Sequence, residues 1–189
     1  MAAFTTADLR HAAARIAVAA EAAAAELNAA DGQLGDGDLG ITVSKGWAEI
    51  AAGAGAMPDD VGMAFLDCAK AFQRVSSSSY GTLTATAFVA AAKACKGRTE
   101  VPCAEVSGLL ATARDAMMAR GKGALGDKTV LDAVDAIAAA SIAGCVTLHE
   151  RDFVVPLPPP SAAPIAGGRD GREHELQQRP AAAVRHQER

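Results

Sequence analysis

The stretch Asp31-Gly32-Gln33-Leu34-Gly35-Asp36-Gly37-Asp38-Leu39-Gly40 lies between two alanine-rich segments that have the pattern of helices. It holds three carboxylates and four glycines within ten residues. Glycine lets the backbone turn sharply, and carboxylates this close repel one another unless a cation lies between them. The aspartates, at i, i+5 and i+7, have the spacing of a loop folded around a hard metal ion. They also fit a solvated turn in which Asp36 or Asp38 caps the next helix.

The residue types in this acidic loop narrow the choice of metal. The loop is not an EF-hand, because that motif alternates Asp with other residues and ends in Glu at its twelfth position, where this chain has Thr42. No His or Cys joins the cluster, and oxygen ligands alone favour Mg²⁺ or Ca²⁺ over zinc. Asp31, Asp36 and Asp38 are therefore candidate ligands of a hard divalent cation, with the capped turn as the alternative.

The composition indicates an all-helical protein of one domain, or one domain with a tail. Of the 189 residues, 50% are apolar and only 4% are aromatic, and the many alanines allow close packing of helices. A net charge of -4 argues against a nucleic-acid-binding surface. The N-terminal segment carries charges within its helical pattern, so it predicts neither a signal peptide nor a membrane span. The four cysteines form no CxxC pair, and we expect reduced thiols in a cytoplasmic protein.

Hydrophobic periodicity predicts about six antiparallel amphipathic helices arranged as a bundle or barrel. We place them at about 6–28, 40–53, 58–75, 82–95 and 102–118, with the sixth running from Asp127 or Thr129 to Ser141. Residues 1–144 are thus predicted to form one helical domain. Residues 145–189 are rich in Pro and Arg and show no hydrophobic period, which predicts a disordered tail.

Three unusual loops are predicted to lie at one end of this bundle, because they follow the first, third and fifth helices. They are the acidic loop, the serine-rich loop 76–81 and the glycine-rich loop 121–126. The serine-rich loop leads into a helix whose free N–H groups favour an anion, although a capped serine turn is the alternative. Gly126-Asp127-Lys128-Thr129 is close to a Walker A motif but follows a helix rather than a strand. We therefore predict a site loop there without the P-loop fold.

Carboxylates at one corner and helix N-termini at another suit a nucleotide whose phosphates are bridged by Mg²⁺. No Ser-His-Asp set is apparent in the first 144 residues, and His11 lies within a predicted helix, where a surface role is the simpler interpretation. The sequence alone thus predicts phosphate chemistry at one end of the bundle.

In order and spacing, the three loops resemble the nucleotide-binding L subunit of dihydroxyacetone kinases, also called the DhaL or DAK2 domain. The matching segments lie within residues 5–143: Asp31, Gly35-Asp36-Gly37-Asp38-Leu39-Gly40, Ser77-Ser78-Ser79-Tyr80-Gly81-Thr82-Leu83 and Gly126-Asp127-Lys128-Thr129-Val130-Leu131-Asp132. The resemblance implies a barrel of antiparallel amphipathic helices with ADP or ATP at one end. It also implies a kinase that phosphorylates dihydroxyacetone or a related short ketose.

The resemblance further implies a role for each loop. Asp31, Asp36 and Asp38 would hold two Mg²⁺ ions on the nucleotide phosphates. The predicted nucleotide contacts are Thr42, Ser77, Ser78, Ser79, Gly81 and Thr82 around the phosphates, with Gly121, Gly126, Asp127 and Thr129 toward the nucleoside. No catalytic residue is identified on this chain, because the family holds the ketone covalently on a His of a separate K-type subunit. That subunit is the expected partner.

Several features depart from the family pattern and keep alternatives open. Leu39 replaces a common His, and Ser77-Ser78 replaces a Gly-Gly pair. The change of composition after Ser141, where the family continues with a lid, is what an out-of-frame reading of a GC-rich gene would give. The alternatives are a non-catalytic helical partner subunit and the ATP-binding domain of a fatty-acid kinase. The phosphoryl donor, ATP or a phosphotransferase-system protein, and a homodimer are also left open.

Overall fold

A computed structural model of the protein describes residues 2–33 and 35–144, with side chains as far as residue 140. Within these ranges the chain forms six α-helices and a small two-stranded sheet. The helices are α1 (Thr6–Asp31), α2 (Leu39–Gly53), α3 (Val61–Val75), α4 (Ser79–Cys95), α5 (Val106–Gly121) and α6 (Val130–Gly144). The predicted all-α fold is confirmed. The predicted tail, 145–189, lies outside the described residues, and the division at residue 144 stays a prediction.

Each helix packs against the next one along the chain, from α1 to α6. Because the connections are short, neighbouring helices run antiparallel, and the odd-numbered helices all end at the same end of the bundle. The acidic loop, the serine-rich loop and the glycine-rich loop follow α1, α3 and α5. This arrangement puts all three loops at that end, in agreement with the sequence.

Most aromatic rings of the described residues are concentrated between α2, α3 and α4. Trp47 packs edge-on against Phe72 and Phe88, with ring centroids 6.5 and 5.8 Å apart. Tyr80, in the first turn of α4, packs against Phe72 near the end of α3. Phe72 and Ile50 are completely buried. These contacts fix the serine-rich loop against the core, because each of the two helices that flank the loop contributes an aromatic ring to the core.

Close contact between the backbones of α1 and α2 depends on Gly40. A Cβ atom added there would lie only 2.0 Å from the carbonyl oxygen of Ala24 in α1. At the next crossing, a Cβ on Gly46 of α2 would lie 2.3 Å from the ring of Phe72. The small residues that dominate the composition therefore let these helices approach more closely than larger side chains would allow.

A short antiparallel sheet, absent from the sequence prediction, joins the N-terminus to the segment between α4 and α5. Strand β1 (Ala3–Thr5) pairs with β2 (Glu100–Pro102). Three-residue strands are too short for a period of two to reveal them. Thr5 then caps the start of α1: its N–H and its hydroxyl both donate to Asp8 Oδ2 at 2.8 Å. The Thr5 N–H is the main reason that the pKa of Asp8 lies below its ordinary value.

Several helix boundaries differ from the predicted ones by three or four residues: α3 begins at Val61 rather than at residue 58, α5 spans Val106–Gly121 rather than 102–118, and α6 continues to Gly144 rather than Ser141. Two further differences change the acidic loop and the serine-rich loop. Helix α1 continues to Asp31 rather than ending near residue 28, and Gly35 N–H donates to the Asp31 carbonyl at 2.6 Å. Helix α4 begins at Ser79 rather than at residue 82, because the Ser78 hydroxyl accepts from Gly81 N–H at 3.1 Å. Asp31 and Ser79 are therefore held on helices rather than on loops.

Cys68, Cys95 and Cys103 are buried, whereas Cys145 lies outside the described residues. Burial raises the pKa of the Cys68 thiol to about 12, so that this thiol stays protonated and unreactive at neutral pH. Across the described helices, none combines the length and the apolar character that crossing a bilayer requires.

We predict that Gly40→Ala lowers the free energy of unfolding by about 2 kcal/mol, because the new methyl group would push α1 and α2 apart. Urea denaturation followed by circular dichroism measures this change. Gly53→Ala is the matched control, since a Cβ on this last residue of α2 meets no atom within 4 Å. It should change the stability by less than about 1 kcal/mol. Equal effects of the two substitutions would contradict the close-contact explanation.

Candidate functional site

The acidic loop folds back onto the carboxylate of Asp31, the last residue of α1. Asp31 Oδ2 accepts hydrogen bonds from the N–H groups of Gly37 at 2.9 Å and Asp38 at 3.1 Å. Gly37 has a φ of 76°, which strongly favours glycine. A Cβ on Gly35 would lie 2.6 Å from Asp31 Oδ1. The loop thus needs glycine both to turn and to approach the carboxylate.

The start of α2 is held by Asn28, a residue that the sequence prediction did not include. Its Oδ1 accepts from Gly40 N–H at 2.7 Å and Ile41 N–H at 3.3 Å. Asp38 occupies the N-cap position of α2, yet its side chain makes no capping hydrogen bond. The first turn is therefore capped by the preceding helix, and the Asp38 carboxylate is not used as the cap.

Asp31, Asp36 and Asp38 converge at one point. One carboxylate oxygen from each lies within 4.8 Å of the others. Repulsion from the negative charge of Asp36 is the largest cause that raises the pKa of Asp38. Three oxygen donors at this separation fit a hard divalent cation, which would also relieve the repulsion. The predicted metal ligands are therefore brought together, and their role in metal binding stays a prediction.

A cavity of about 670 Å³ lies between the acidic loop and the serine-rich loop. The three aspartates and the first turns of α2, including the buried Thr42, form one wall. Ser77, Ser78 and Ser79 lie on the other wall. Carboxylates and hydroxyls that come from two loops distant in the sequence thus face one space.

Two predicted phosphate contacts lie in α4 and do not belong to the lining of this cavity. Gly81 is buried, and a Cβ there would lie 2.2 Å from Ser76 Oγ, so the glycine makes room for that serine. Thr82 N–H donates to the Ser78 carbonyl at 3.0 Å. Both residues shape the serine-rich loop, and direct contact of either one with a nucleotide stays a prediction.

The glycine-rich loop is closed by two carboxylates that follow it in the sequence, those of Asp127 and Asp132. Asp132 accepts from Gly126 N–H at 2.6 Å and from Thr129 N–H at 2.9 Å, and these bonds lower its pKa. Asp127 Oδ2 accepts from Ala124 N–H at 2.9 Å. The sequence motif included Asp132 without giving it a role. In the structure this residue holds the loop in shape.

The glycine-rich loop lies beside the start of α4 rather than in the cavity wall. A Cβ on Gly121 would lie 3.1 Å from a methyl group of Leu83, in the second turn of α4. None of Gly121, Gly126, Asp127 and Thr129 contributes to the cavity lining. Their predicted position toward the nucleoside stays a prediction.

Comparison with protein families gives a match to the DAK2 domain over residues 33–151. The chain belongs to the DAK2 domain family. This match confirms the resemblance that the three loops indicated. A comparison of this DAK2 domain with curated protein sequences gives no match.

Among solved structures, the DAK2 domain is similar to the dihydroxyacetone kinase from C. freundii, whose crystal structure is a complex with AMP-PNP and Mg²⁺. The TM-score is 0.63 at 26% sequence identity. The similarity covers 72% of this chain and 25% of the kinase chain. The matched part of the chain thus corresponds to about a quarter of the length of that kinase.

We predict that Asn28→Ala lowers the free energy of unfolding by about 1 kcal/mol, because the first turn of α2 loses its cap. It should also weaken Mg²⁺ binding by about tenfold, since the loop that carries Asp36 and Asp38 is no longer held between two helices. Urea denaturation and titration calorimetry measure the two effects. Glu26→Ala, an exposed position in the same helix, is the control. A variant at Asn28 with unchanged stability would contradict the capping role.

Proposed function

We propose that this DAK2 domain binds ADP or ATP with Mg²⁺ and serves as the nucleotide-binding subunit of a kinase. The observation that carries the proposal is the convergence of three carboxylates within 4.8 Å, across one cavity from a serine-rich helix start. The similar kinase of known structure was crystallised with AMP-PNP and Mg²⁺. The proposed substrate is dihydroxyacetone or a related short ketose.

In this proposal the acidic loop and the serine-rich loop hold opposite sides of the phosphate chain. Asp31, Asp36 and Asp38 would hold two Mg²⁺ ions, which, when bound, neutralise the negative charge on the phosphates. Hydroxyls of the serine-rich loop and N–H groups at the start of α4 would donate to phosphate oxygens. Thr42 would complete the wall beside the metal ligands. The glycine-rich loop, next to the start of α4, would lie toward the nucleoside.

The ketose would be presented by a second protein, a K-type subunit. The family attaches its ketone to a histidine, and in the described part of the chain the only histidine is His11. His11 lies near the start of α1, whereas the cavity lies beyond the end of that helix. A K-type partner would supply the substrate, and ATP or a phosphotransferase-system protein would supply the phosphoryl group. Such a kinase would act in the cytoplasm.

One feature of the cavity favours a second candidate, a non-catalytic subunit that keeps the fold. Leu39, Ile41 and Val75 are apolar and belong to the cavity lining, and Leu39 stands where the family commonly has a polar His. The intact aspartates support the catalytic candidate. The similarity of the fold to a dihydroxyacetone kinase supports a short ketose as the substrate, rather than the fatty acid of a fatty-acid kinase.

We predict that Asp36→Asn and Asp38→Asn each weaken Mg-ADP binding by more than about 100-fold, because each removes a metal ligand. Titration calorimetry measures the affinity. The melting temperature of the ligand-free variants should equal or exceed that of the wild type, since like-charge repulsion decreases. Asp59→Asn is the control, because the Asp59 side chain is 93% exposed and lies at the opposite end of α2. Unchanged Mg-ADP affinity in the cluster variants would overturn the metal assignment.

We expect phosphorylation of dihydroxyacetone only when the chain is mixed with a K-type subunit and a phosphoryl donor. Coupled assays with ATP, and separately with a phosphorylated phosphotransferase-system protein, measure the rate and identify the donor. Asp38→Asn should reduce the rate to the level of the mixture without this chain. A wild-type chain that binds Mg-ADP but supports no turnover with either donor would favour the non-catalytic candidate.

A further inference from the structure

Lys45 lies in the cavity wall but belongs to none of the three loops. It is in α2, seven residues beyond Asp38 and three beyond Thr42, a spacing that puts the three on one helix face. All three belong to the cavity lining, and the Lys45 side chain is exposed. The lining thus combines three carboxylates with one ammonium group.

The expected partner of Lys45 on its own helix is already engaged. Glu49 lies four residues further along α2, the distance at which Lys and Glu commonly pair. Instead, Glu49 Oε1 accepts from Arg74 of α3, from Nε at 3.1 Å and from Nη2 at 2.9 Å. Arg74 thus engages Glu49, the acidic residue four positions along α2 from Lys45, through its Oε1 atom.

Lys45 itself takes part in none of the ion pairs that the described residues form. Its ammonium group therefore lies more than 4.0 Å from each described carboxylate, including those of the acidic loop. Lys70 offers a contrast, because it pairs with Asp67 at 3.0 Å. An unpaired ammonium beside a cluster of carboxylates that could hold a metal ion is suited to bind an anion that this metal would also hold.

We propose that Lys45 is a phosphate-binding residue, which contacts a phosphate group of the nucleotide on the side of the cavity formed by α2. This inference rests on the proposed function, since it requires a nucleotide in the cavity. The serine-rich loop contacts the phosphates through hydroxyl and N–H groups that carry no full charge. Lys45 adds the one positive side chain of the lining.

The test compares Lys45→Met with Lys45→Arg and with Lys70→Met, the matched control. Titration calorimetry with Mg-ADP should show about tenfold weaker binding for Lys45→Met, the loss of one charge-assisted hydrogen bond. Lys45→Arg should stay within about threefold of the wild type, because it keeps the charge. Lys70→Met should bind like the wild type. Methionine is a good helix former, and circular dichroism checks that the fold is kept.

A second titration, with Mn²⁺ and no nucleotide, separates phosphate binding from an effect on the acidic loop. Removal of a positive charge near carboxylates does not weaken their attraction for a cation, so Lys45→Met should bind Mn²⁺ at least as well as the wild type. Parallel losses of Mn²⁺ and Mg-ADP affinity, or unchanged Mg-ADP affinity, would overturn the inference while the proposed function stands. A wild-type chain without Mg-ADP affinity would overturn both.

Discussion

Four backbone N–H groups of the segment after α1 donate to two side chains in the last turn of that helix. Asp31 accepts two of these bonds, and Asn28 accepts the other two. Together they hold the acidic loop and the start of α2 on the end of α1. Asp36 and Asp38 repel each other and would separate if the loop were free. The cluster of carboxylates therefore depends on these bonds, and so does the cavity that it borders.

The sequence predicted those parts of the fold and of the site that follow from local spacing. The helices come from apolar residues at a period near 3.6, and the position of the loops at one end follows from the alternation of helix direction. The convergence of Asp31, Asp36 and Asp38 follows from glycines next to carboxylates. The resemblance of the chain to the DAK2 family could be seen only from the order of all three loops, because each motif alone is also an ordinary turn.

The features that the sequence did not predict depend on contacts between residues far apart in the chain. The hydrogen bond from Gly40 to Asn28 spans twelve residues, and nothing near Asn28 distinguishes it from an ordinary helical asparagine. The pairing of β1 with β2 joins segments almost a hundred residues apart, each too short to show a period. The need for glycine at position 81 depends on the packing of Ser76 against it. Such features are set by tertiary structure rather than by local pattern.

The contact at Gly40 has a mechanical consequence. Because α1 and α2 touch backbone to backbone, the carboxylates are carried by a closely packed pair of helices. The serines sit on a different pair, α3 and α4, and aromatic ring edges form part of the joint between the two pairs. At that joint the ring of Phe72 occupies the space that a Cβ on Gly46 would need, so the two pairs are closely packed there too. A molecule bound to both walls of the cavity would therefore join the two helix pairs a second time, at the end of the bundle where the three loops lie.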